Sequence, residues 1–315
     1  MTQKLLLTLF IAMIGITCCF SLLTFPNRGT LATPAPQATT AYGNFPRQFD
    51  NGSGQFSTIS QPPQRIVSQT LVTDEILLAI CPPERIAALS SLATDSHYSN
   101  IVEIAQKLGR TVHNLEQLLA LQPDLVLAAR YNRAELLTLL NQVQIPAIQL
   151  NDFNQLQDIQ ENIRLVGKVI GEEIRANTLI NQMNIQLATI QSKIPKDQPP
   201  RVMSYSLEGF TAGQDTSFDA MLQAIGAINV SAEHGIRGVV NISSEQLIEW
   251  QPDFIVVGAT LEQFATVSQQ LQTQPAFNAL KGKIILLEQR HLLTASHHIV
   301  SAIEQLAQKI YFTHQ

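Results

Sequence analysis

The chain has 315 residues, 45% of them apolar, with mean hydropathy near zero, which is enough material for two cores of ordinary size. A net charge of -5 and a pI of about 5.8 offer no basic face to nucleic acid. Of three cysteines, two are adjacent near the amino terminus, so only Cys81 is left to the body of the chain and an internal disulfide is excluded.

Lys4 precedes an apolar run from Leu5 to about Phe25, and no acidic residue occurs before Asp50, the pattern of an export signal. Ile16-Thr17-Cys18-Cys19 resembles a bacterial lipoprotein signal, with Cys19 as the lipidated residue; an uncleaved anchor or cleavage near Ala35 to Ala38 are the alternatives. Each delivers the folded part outside the cytoplasm. Residues 26–60, rich in Pro, Thr, Gly, Gln and Asn, read as a flexible tether.

A first α/β lobe is expected over 61–152. Its strands are predicted at Arg65 to Ser68, Arg85 to Leu89, Asp124 to Ala129 and Pro146 to Leu150, alternating with helices at Thr73 to Ile80, Ile101 to Lys107, Asn114 to Leu121 and Arg133 to Val143. Cys81, in an Ile-Cys-Pro-Pro context, reads as a buried small apolar residue. From 153 to 196 an apolar stripe at three- and four-residue spacing predicts one long helix, a brace between two lobes. The second lobe, 197–315, has strands predicted at Arg201 to Tyr205, Asp253 to Gly258 and Lys283 to Leu287, and helices at Ser217 to Ile225, Ser243 to Trp250, Leu261 to Leu271 and Thr294 to Phe312.

The two lobes share a repeated unit. Residues 114–129 return as residues 243–258, with Glu116/Glu245, Gln117/Gln246, Leu118/Leu247, Gln122/Gln251, Pro123/Pro252 and Asp124/Asp253 identical. Asn114 and Ser243 read as N-caps with Gln three positions on, the Gln-Pro-Asp triplet ends each helix, and an apolar run follows as a strand buried on both faces of a parallel sheet. The acids Glu116 and Glu245 fall in the first helical turn, where either alone would be a dipole-matching surface residue. As a pair at equivalent positions they suit two matched basic pockets of a symmetric partner.

Two α/β lobes, each with this unit, joined by a long helix and preceded by an export signal, resemble the substrate-binding proteins of bacterial ABC importers, nearest the ferric-siderophore and cobalamin receptors. The resemblance covers about Arg65 to Tyr311. It implies a monomeric receptor in the periplasm or tethered to the outer face of the cytoplasmic membrane. Such a receptor holds an iron(III)-siderophore-type chelate or cobalamin in a shallow interlobe cleft, with no cofactor of its own. It further implies that Glu116 and Glu245 dock on arginine pockets of a permease dimer carrying ATPase subunits. Ligands of such sheets lie outside the carboxyl ends of the strands. The aromatic and charged residues on those loops are Tyr98, Arg130, Tyr131, Tyr205, Phe210, Arg237, Arg290 and His291. Tyr205 also reads as core, and Trp250 as structural.

Other readings are weaker. The histidines are scattered, with no His-x-x-x-His pair, so direct capture of a transition metal has little support, while a haem receptor of the same scaffold stays open. No Gly-x-Ser-x-Gly, phosphate loop or dinucleotide fingerprint is present, and an export signal argues against a chelatase-like enzyme. A tethered module for protein or carbohydrate is the remaining competitor.

Overall fold

The computed structural model describes residues 44–50, 56–130, 132, 134–196, 198–274, 277, 280 and 282–313. The export signal with Cys19, the Ala35 to Ala38 region and Tyr131 lie outside them.

Within the segment expected to be only a tether, β1 (Arg47–Asp50) and β2 (Phe56–Ile59) pair as an antiparallel ribbon. Phe49 and Ile59 are buried, and Arg47 bridges to Glu173 at 2.6 Å while also donating to the Lys168 carbonyl. Four-residue strands with one inward residue each leave almost no periodic signal in a polar background.

The first lobe is a five-stranded parallel sheet. In chain order it comprises β3 (Ile66–Ser68), α1 (Leu71–Ile80), β4 (Ile86–Ser90), α2 (Val102–Leu108), β5 (Thr111–Val112), α3 (Leu115–Ala120), β6 (Leu125–Ala129), α4 (Ala134–Gln142) and β7 (Ala147–Leu150). The strand order is β5-β4-β3-β6-β7. All five residues of β6 are buried, as a strand covered on both faces requires.

The stretch 154–194 divides into α5 (Leu156–Ile170) and α6 (Glu173–Lys193). Gly171, at φ 80°, closes α5 in the left-handed conformation that glycine adopts without strain. The helices then run back along each other: Gln160 donates to Asn184 at 2.8 Å, and a Cβ on Gly167 would sit 2.5 Å from that of Ala176. The long helix that joins the lobes is therefore α6, while α5 folds back on the first lobe. The apolar stripe runs through both because both bury it in one core.

The second lobe contains β8 (Arg201–Ser204), β9 (Phe210–Ala212), α7 (Ser217–Ala224), β10 (Ile228–Asn229), α8 (Val230–Glu233), β11 (Val239–Asn241), α9 (Ser244–Trp250), β12 (Phe254–Ala259), α10 (Phe264–Thr273), β13 (Lys283–Glu288), α11 (Gln289–Leu292) and α12 (Ile299–Ala307). Its parallel sheet has the order β10-β8-β12-β13, and β9 pairs with β11 in a separate antiparallel ribbon.

The repeated unit performs the same task in both lobes. Asn114 Oδ1 and Ser243 Oγ accept from the backbone N–H of Gln117 and Gln246. Gln122 and Gln251 take positive φ, 48° and 43°, so the chain turns sharply before proline. Asp124 then accepts from the backbone N–H of Gln64 and Arg65, and Asp253 from that of Arg201, tying each motif strand to the first strand of its sheet. The arginines close the turn by donating to backbone carbonyls, Arg65 to Leu121 and Arg201 to Trp250 and Gln251. The two Gln-Pro-Asp segments thus belong to two separate sheets.

One apolar core runs between the lobes. Ile76, Leu77 and Ile80 of α1, Ile180, Met183 and Leu187 of α6, and Ile299, Ile303 and Leu306 of α12 belong to a single buried cluster. Cys81 is part of it, with its thiol pKa pushed up to about 12 by burial.

Candidate functional site

In each sheet the chain order reverses between two neighbouring strands, β3 and β6 in the first lobe, β8 and β12 in the second. A crevice forms outside the carboxyl ends of strands at such a point. Loops from these ends meet across the lobes: Ser96 and His97 of the first lobe share a polar pocket of about 130 Å³ with Thr260, Leu261, Glu262, Glu288, Gln289 and Arg290 of the second. Beside it lies an apolar pocket of about 180 Å³ walled by Tyr205, Phe210, Phe218, Val239, Leu292 and Leu293. A larger, shallow hollow near Arg65 and Arg110 opens at the amino ends of the first sheet's strands, opposite the switch point.

The expected contact residues fall into different situations. Tyr98 is exposed on the loop after β4, its ring 6.4 Å from that of His97. Phe210 is exposed against the apolar pocket, while Tyr205 is buried, its ring packed edge-on to Phe277 at 5.6 Å. Each of the three arginines faces an acid: Arg130 pairs with Asp152 at 3.0 Å, Arg290 with Glu288 at 2.7 Å, and Arg237 with Asp215. His291 is 8% exposed, lines neither pocket, and is held below its ordinary pKa by burial.

Other cleft residues carry no signal in the sequence. Leu92, Val239, Leu261 and Leu293 are 44–64% exposed. Val239 and Leu293 line the apolar pocket, Leu261 lines the polar one, and Leu92 lies just after β4, a few residues before Ser96 and His97. Singly each is an ordinary leucine or valine. His97, held by Asp95 at 3.0 Å, and Glu262 face each other across the polar pocket.

Glu116 and Glu245 are exposed at the first turns of α3 and α9. Each helix leads into the amino end of a strand, so each acid stands at the carboxyl-edge end of its lobe. The Ser243 hydroxyl and its own backbone N–H hold the Glu245 carboxyl below the usual range.

These features define a binding protein with a shallow interlobe cleft. The periplasmic binding protein family matches residues 66–289, and the chain belongs to that family. Among its relatives is an ABC transporter substrate-binding lipoprotein of Bacillus subtilis, YvrC, 28% identical over 277 residues, covering 85% of this chain and 86% of that one. A cobalamin-binding protein of Halobacterium salinarum is 23% identical over 299 residues, covering 90% and 80%. Among solved structures, the periplasmic heme-binding protein RhuT of Roseiflexus superposes with a TM-score of 0.66 at 27% identity, covering 78% of this chain and 96% of that one. The protein is accordingly a substrate-binding component of an ABC transporter and not an enzyme.

Proposed function

We propose that this protein captures a large metal chelate of low net charge and apolar faces, foremost a cobalamin-type corrinoid, and delivers it to a membrane permease. The observation that carries this reading is the pairing of the cleft arginines. With Arg130, Arg237 and Arg290 each facing a carboxylate, no arginine among the described cleft residues is left to neutralise a strongly anionic ferric chelate. The exposed apolar rim of Leu92, Tyr98, Phe210, Val239, Leu261 and Leu293 instead suits the faces of a macrocycle. A neutral ferric hydroxamate satisfies the same charge argument and is the second reading.

Permease docking is assigned to Glu116 and Glu245, whose matched exposure on two similar lobes supports a two-fold partner. Tethering through Cys19 places the receptor at the outer face of the cytoplasmic membrane.

Calorimetric titration with aquocobalamin, hemin, a neutral ferric hydroxamate and an anionic ferric tricatecholate tests the ligand class. Tight binding of aquocobalamin is expected. Preference for the tricatecholate contradicts the charge argument.

A further inference from the structure

Behind the cleft lies an arrangement that ligand contact does not use. Glu75, on α1 of the first lobe, is 2% exposed. Its Oε1 accepts from the side-chain and backbone nitrogens of Asn100 at 3.0 and 3.2 Å, and its Oε2 accepts from Ser296 Oγ of the second lobe at 2.5 Å. Asn100 Nδ2 also donates to the backbone carbonyl of Arg290 at 3.3 Å. Glu75 and the Asn100 side chain that it holds therefore grip the two ends of the second-lobe segment 290–296, which supplies Arg290, Leu292 and Leu293 to the cleft.

The surroundings leave this grip with little support from other hydrogen bonds. Arg290 Nε, His291 Nδ1, Thr294 Oγ1, His297 Nδ1 and His298 Nε2 are buried with no hydrogen-bond partner among the described residues. Buried polar groups are normally satisfied, and their concentration here makes the seam the least satisfied part of the described interior. Apolar packing continues beneath it, but the named cross-lobe hydrogen bonds to this segment run through Glu75 and its partner Asn100.

We infer that Glu75 is a positioning residue that pins the cleft-lining segment of the second lobe onto the first. The grip rests on the hydrogen bonds through Asn100 and Ser296, and burial holds the adjoining His298 imidazole neutral near pH 7, so it adds no charge to them.

Hydrogen–deuterium exchange of the full chain without ligand tests this, and its outcome does not depend on which chelate the cleft takes. In Glu75→Ala and in Ser296→Ala, exchange at 290–298 rises by about tenfold at pH 7.5 while β3 and β8 keep their protection. Glu75→Gln, which keeps an acceptor and the side-chain volume, stays near wild type. Unchanged exchange at 290–298 in Glu75→Ala or in Ser296→Ala, or a rise spread equally over both sheets in every variant, overturns the inference.

Discussion

His297 packs at a tilt against His298 with ring centroids 4.1 Å apart, and burial pushes its pKa down from 6.5 to about 3. Between those values the unfolded chain binds a proton that the folded one refuses. Stability therefore falls as pH is lowered from 6.5 towards 3, by about 1.4 kcal/mol for each pH unit crossed. Asp74 acts in the opposite sense. Burial raises its carboxyl from 3.8 to about 6 against hydrogen bonds from Ser68 and Ser90, so over that window the folded state holds the extra proton and gains as pH falls. Thermal melts across this range should therefore show His297→Asn flattening the acid loss and Asp74→Asn steepening it; identical profiles for wild type and His297→Asn would contradict the assignment. None of this was legible in the sequence. Thr73-Asp74-Glu75 reads as an ordinary helix start with acids in its first turn, and what buries those acids are Ser90, Asn100 and Ser296, brought in from far along the chain. The exposed first-turn placement of Glu116 and Glu245 was legible because the unit that carries them recurs.

The elements divide in the same way. The strands Leu125–Ala129 and Phe254–Ala259 announce themselves as continuous apolar runs after a proline, and the Gln-Pro-Asp turn preceding each uses chemistry that is local. By contrast β5, β9, β10 and β11 have two or three residues each, shorter than any period they could display. The α5–α6 reversal was hidden because the apolar stripe continues across Gly171. Its geometry predicts a clear effect: Gly167→Val puts a branched side chain where a Cβ already meets Ala176 at 2.5 Å, so the hairpin must spread. A loss of about 1–3 kcal/mol in urea unfolding is expected. A neutral result would mean that the two helices do not pack at this point. In the second lobe, Asp253→Ala removes the acceptor for the Arg201 N–H, and a loss of about 1–3 kcal/mol should follow.

At the scale of the molecule, two similar sheets present their carboxyl edges to one opening while α6 and a shared core hold them together. Division of labour follows from this geometry. Reversing both proposed docking acids, Glu116→Lys with Glu245→Lys, should abolish uptake in cells while calorimetric affinity for the ligand stays within about twofold, since neither acid lines the two cleft pockets. A parallel loss of affinity would remove them from the docking role. Trp250, the single tryptophan, packs in the second lobe's own core and stacks on His234 at 4.5 Å. Its emission therefore follows unfolding of that lobe rather than contact with ligand.

The proposed capture holds the ligand between two apolar walls, one from each lobe. Calorimetric titration of aquocobalamin into wild type, Tyr98→Glu and Phe210→Glu tests this most directly, because each substitution places a charge on one wall only. Binding by wild type and a loss of about tenfold or more in both variants is the predicted result. A loss confined to one variant, or no binding by wild type, would contradict it.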